Sequence, residues 1–202
     1  MRRWGLPLWD LLVGAKPRAK RPRPQPNTSP TQETKPPASG QPSQPSRNRR
    51  SKPARETMAQ RYDRVARDML AAYGGKVRRW RSAMSGVAWE LKYDDGTVRR
   101  LIESPRPRGP MSMAIFLHEI GHHAIGFNRY KPRCLEEYHA WRFAIEQMEA
   151  TGLNVTDAVR RRMHASLHYA IGKARRRGLV SLPAELEPFV AAPPKQRRRK
   201  HK

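Results

Sequence analysis

Cysteine is nearly absent from this chain: Cys134 stands alone among 202 residues. A disulfide framework and a cysteine-rich zinc module are therefore both excluded. Long apolar runs are missing too, and none approaches the ~20 residues of a membrane-spanning helix. The segment that comes nearest, Trp4–Val13, is interrupted by Pro7 and Asp10, and no small-x-small cleavage pattern follows it. It reads as a short docking segment or interfacial anchor rather than a leader, and the chain is expected in the cytoplasm with no transmembrane segment. Acids are scarce as well. Seventeen Asp and Glu face 42 Lys and Arg, for a formal charge of +25.

The deficit of acid is uneven, which excludes a uniformly basic protein. Residues 16–55 hold 11 basic residues against one acid, Glu33, with ten of the 19 prolines and no aromatic residue. Such a stretch cannot bury enough apolar surface to offset its ordering entropy, so it is expected to be a disordered linker. Residues 195–202 form a short basic tail with six Lys and Arg. Between them, residues 56–194 carry 23 basic and 15 acidic residues, the composition of one ordinary folded domain. The expected organisation is a short apolar N-terminal segment (1–15), the linker (16–55), the domain (56–194) and the tail (195–202). The basic flanks are expected to contact nucleic acid non-specifically, through phosphate counterion release, or only to aid solubility.

Within the domain, Met58, Tyr62, Val65, Met69 and Tyr73 recur at helical spacing before Gly74-Gly75. Lys76–Arg81 and Val87–Tyr93 read as strands. Asp95-Gly96 reads as a two-residue hairpin turn leading into the strand Thr97–Ile102. That turn pairs Tyr93 with Val98, Leu91 with Arg100 and Trp89 with Ile102, and so puts Trp89, Leu91, Tyr93, Val98 and Ile102 on one face. Met111–Ile125 is apolar nearly all round, as a central helix should be. Arg133–Ala150 and a helix capped by Thr156 follow. The fold class is α+β, a small antiparallel sheet with a β-hairpin packed on helices, in the order α-β-β-β-α-α-α.

The chemistry concentrates in Phe116-Leu-His118-Glu119-Ile-Gly-His122-His123. Histidines four apart share one helix face, where both rings can meet one ion. Glu119 lies about 100° around, able to touch water at that ion without occupying a ligand position. A zinc ion, Zn2+, bound by three protein donors keeps a fourth position open, lowers the pKa of its water and lets a carboxylate accept the proton. For the third donor, the wheel of Arg133–Ala150 centred on Trp141 puts Glu137 at about −40°, inside the apolar stripe. Glu136 and His139 fall at about −140° and 160°, outside it. A buried carboxylate needs a cation. The ligand set is thus His118, His122 and Glu137, with Glu119 as general base. His139 is the second choice, and an ion pair from Glu137 to Arg133 is the non-metal alternative. Tyr130, Arg133 and His139 are candidate oxyanion stabilisers. His123 should pack against Phe116 and Ile120, the pair His164 and His168 is a weak second metal candidate, and Cys134 reads as a small buried apolar residue.

His118-Glu-Ile-Gly-His122 followed by Leu135-Glu-Glu-Tyr-His-Ala-Trp-Arg-Phe-Ala144 resembles the HExxH zincin metallopeptidases, nearest to the ImmA/IrrE-type family. The resemblance implies a zincin-like helical core and a zinc-dependent endopeptidase acting on a protein or peptide, such as a regulatory protein. It also aligns the family's third ligand with His139, two residues beyond Glu137. An alternative of another class is a zinc-stabilised, non-catalytic module that binds nucleic acid or a protein partner. An extended substrate is expected to add to a sheet edge, for which Thr97–Ile102 is the candidate.

Overall fold

A computed structural model describes residues 56–193. The N-terminal segment, the linker and the basic tail lie outside the described residues. Eight elements follow one another: α1 (Met58–Ala72), β1 (Gly75–Arg81), β2 (Val87–Lys92), β3 (Val98–Pro105), α2 (Pro110–Ile125), α3 (Arg133–Ala150), α4 (Asp157–Arg176) and a 3-10 helix (Ala184–Phe189). The expected order of helices and strands is therefore present, with α+β architecture.

Local chemistry accounts for the boundaries. Thr57 and Gln60 form a reciprocal capping box at α1, with Thr57 N–H donating to Gln60 Oε1 at 2.8 Å. Pro110 occupies the first turn of α2, where its missing N–H is no loss. Thr156 Oγ1 accepts from the Val159 N–H and opens α4.

The sheet departs from expectation in two respects. Its strand order is β1-β3-β2, with β1 parallel and β2 antiparallel to β3. It is a mixed sheet, not an antiparallel one, because β1 pairs with β3 and not with β2: two reversals of the chain separate β1 from β3 and leave them parallel. Consequently β3, the expected edge, is the central strand, and β1 and β2 are the edges. The hairpin register is also shifted by one residue: Leu91 pairs with Arg99, Trp89 with Leu101 and Ala88 with Ile102. Tyr93 N–H donates to Thr97 O at 2.9 Å, leaving three residues in the loop, and Gly96 takes φ +81°. Asp95 Oδ1 accepts from the Thr97 N–H at 2.8 Å, which favours this three-residue loop over a two-residue turn. A one-residue slip exchanges faces. Ile102 and Val98 therefore lie on the opposite face from Trp89, Leu91 and Tyr93.

Helix α2 lies across the Ile102 face and is the centre of the molecule. Met113, Ala114, Phe116, Leu117 and Ile120 are all fully buried, joined by Val65 of α1, Trp141 and Met148 of α3, and Leu167 and Ile171 of α4. Leu186 of the 3-10 helix closes the far side. No helix among the described residues is long and apolar enough to cross a membrane.

Candidate metal centre

Glycine sets the distance between the two helices that carry the site. A methyl group placed on Gly121 would lie 2.7 Å from the Ala140 carbonyl oxygen and 3.1 Å from its Cα. Only glycine lets the α3 backbone come this close to α2, in the turn between Glu119 and His122. The close approach brings Glu137 to the histidines.

His118 Nε2 lies 3.4 Å and His122 Nε2 3.7 Å from the same oxygen, Glu137 Oε2. Bonds of ~2.0–2.1 Å directed to tetrahedral corners separate donor atoms by about 3.4 Å. All three donors lie within 4.8 Å of one another. Together with Glu119 these groups are only 5–7% exposed. Two imidazoles and one carboxylate converging in a buried site form a donor set suited to a divalent ion such as zinc. Glu137 serves both alternatives read from the sequence: Oε2 faces the histidines, while Oε1 lies 3.7 Å from Arg133 Nε.

The surroundings orient the donors. The His118 ring stacks on Trp141 with centroids 4.5 Å apart, and the His122 ring stacks on Phe127 at 5.9 Å. Behind His122, Glu136 Oε1 lies 3.7 Å from Nδ1, while Glu136 Oε2 accepts from the Asn128 N–H at 2.7 Å. This carboxylate favours the charged form of the His122 ring.

Glu136 corrects the helical wheel. Expected to face outward, it is 1% exposed. The wheel was centred on Trp141, whereas α2 meets α3 along Ala140, and that side includes both Glu136 and Glu137. A helix packed against several neighbours buries more than one stripe. Among the described residues, His139 lies outside the donor cluster, stacked on Tyr130 with centroids 3.9 Å apart.

Burial and charge set the protonation of the site. Burial pushes His118 down to about 4. His122 is raised: burial disfavours its charge, but the carboxylates of Glu137, Glu136 and Glu119 outweigh burial. Glu137 is held at about 2, because His122, His118 and Arg133 overcome its desolvation. Glu119 is pushed up to about 8 by burial, against the pull of His122, Arg81 and Arg133. Glu119 is coupled to the cluster without being one of its three donors. Gly86 packs directly on it: a methyl group there would lie 2.5 Å from Glu119 Oε1. The loop before β2 is held from the other side by Arg162 of α4, whose Nη2 donates to Met84 O at 2.7 Å.

No family model, curated protein or solved structure matches this chain.

The other candidates resolve into structural roles. His123 is buried, with Nε2 3.3 Å from Leu101 O, which ties α2 to the sheet. His164 and His168 reach carbonyl oxygens at Ala191, Phe189 and Val190 and fasten the 3-10 helix to α4. Cys134 is buried. Sequence reading missed Glu136, Gly121, Gly86 and Arg162. Only Gly121 left a local trace, as a glycine inside an otherwise well-formed helix.

Proposed function

We propose that this protein is a zinc-dependent endopeptidase of the zincin type, nearest to the ImmA/IrrE-type family, acting on an extended protein or peptide. One observation carries the reading. Glu119 is a buried carboxylate beside three convergent donors yet outside the donor set, an arrangement that a purely structural ion does not require.

His118, His122 and Glu137 would hold the ion, which when bound polarises a carbonyl and lowers the pKa of water. Its positive charge also favours the ionised form of Glu119, which burial alone disfavours. Glu119 accepts the proton of the attacking water and delivers it to the amine as the C–N bond breaks. Arg133 sits at the rim with its side chain 56% exposed, close enough to Glu137 to donate to the carbonyl oxygen as negative charge develops. Tyr130 and His139, stacked on each other, are less well placed for that task. For the substrate, the outer edge of β2 replaces β3, because β2 begins immediately after Gly86 at Glu119.

The burial of the whole cluster favours a second reading, a closed structural site in a binding module. Glu119→Gln separates the two. The peptidase reading expects full metal content by elemental analysis and loss of at least ~100-fold in cleavage of a peptide library. Unchanged cleavage, or none in either protein, favours the structural site. The same variant has a pH signature in chelator-treated protein. Because Glu119 holds its proton up to about 8 when folded and only to 4.5 when unfolded, stability must fall as pH rises through that interval. Glu119→Gln should flatten this fall in denaturant titrations at pH 5 and 8.

A further inference from the structure

The sheet face opposite α2 has an unusual composition. Helices α1 and α2 pack on the side of Val77, Ala88 and Ile102; the other side is buried at Val87 and exposed towards the hairpin, at Leu91, Tyr93 and Arg99. On that side the register places Trp89 beside Leu101 and Leu91 beside Arg99. The Arg78 guanidinium lies 5.4 Å from the centre of the Trp89 ring, and that of Arg99 lies 5.4 Å from the centre of the Tyr93 ring. Leu91 is 38% and Tyr93 42% exposed. Glu103, ion-paired to Arg78 at 3.2 Å, is the one acid among the strand residues of this face.

The geometry points to a binding face for single-stranded nucleic acid on the open side of this sheet. Charge and shape choose the occupant. Trp89 in β2 and Tyr93 just past its end, four residues apart along the chain, are separated by about 13 Å if the extended geometry continues, so each can stack a different base of an extended strand. Arg78 and Arg99 lie over one face of those rings, so each guanidinium can extend the stack or meet a phosphate while a base uses the other face. An apolar partner would find two leucines bordered by guanidinium groups, a poor match. A duplex hides its base faces and would leave the rings unused. The flanking basic segments contain no aromatic residue and supply charge alone, so stacking distinguishes this face from them.

The test uses the full chain and a labelled twelve-nucleotide oligothymidylate, followed by fluorescence anisotropy at two salt concentrations, with a duplex of equal length in parallel. Trp89→Ala with Tyr93→Ala should weaken single-strand binding at least ~10-fold and leave duplex binding unchanged. Trp89→Phe with Tyr93→Phe should restore most of it. Arg78→Gln with Arg99→Gln should reduce the salt slope by about 1.4, two lost phosphate contacts. Metal content and melting temperature, compared across variants, show that each is folded. Folded alanine variants that bind like wild type would overturn the proposal and leave the basic flanks as the nucleic-acid surface. Equal affinity for duplex and single strand would overturn it too. So would a Trp4–Val13 peptide that binds this face while the oligonucleotide does not, assigning it to the chain's own apolar segment.

Discussion

The α2–α3 pair and the three-stranded sheet are built from equally suggestive sequence, yet they behave differently under a one-residue error. On a helix, misplacing the centre of the wheel left Glu137 in the interior and merely added Glu136 beside it. In the hairpin, one extra loop residue moved Trp89, Leu91 and Tyr93 from the expected core face to the open one. Helical side chains advance by about 100° per residue, so neighbours can share an interface, whereas strand side chains alternate by 180°. A metal site founded on helices tolerates imprecision in reading that a sheet face does not.

The comparison can be broken or sharpened by substitution. The largest effect belongs to the donors: His118→Ala or His122→Ala should abolish stoichiometric zinc in elemental analysis and lower the melting temperature of the metal-loaded protein. Gly121→Ala comes next. Its methyl group meets Ala140 backbone rather than a movable side chain, so α3 must retreat and carry Glu137 with it. We expect a loss of about 1–3 kcal/mol by denaturant titration and weaker zinc binding in competition with a chelator. An unchanged affinity would show that Glu137 is not positioned by this contact. Glu136→Ala should weaken zinc binding about 10- to 100-fold, measured by the same competition. It would do so by freeing the His122 ring, and an effect as complete as that of His122→Ala would instead make Glu136 a direct ligand. The smallest effect is expected in the hairpin. Gly96→Ala places a side chain at φ +81° and should cost about 1 kcal/mol while leaving zinc affinity unaltered. A loss of zinc there would mean that the sheet and the metal centre are more tightly linked than their contacts imply.

What the sequence could state about the site was set by spacing inside single elements. His118, Glu119 and His122 are fixed relative to one another by the helix alone, and Glu137 follows from a carboxylate on an apolar stripe. Glu136 was illegible because its burial depends on the axis along which α2 meets α3, which no feature of α3 specifies. Gly86 and Arg162 were illegible for a related reason: each acts on a group more than thirty residues away in the chain.

The sequence by itself determined the helices, the three strands, their order and the donor types, because capping residues, turn glycines and hydrophobic periodicity act over a few positions. Tertiary structure decided the rest. It placed β3 between β1 and β2, a pairing of strands that are not neighbours in the chain and that no local turn specifies. It chose the open face of the sheet through one hydrogen bond from Thr97 N–H to Asp95 Oδ1 and a three-residue loop. It brought Glu137 to the histidines through the absence of a single methyl group at Gly121, a contact between backbones that no pattern of side chains records.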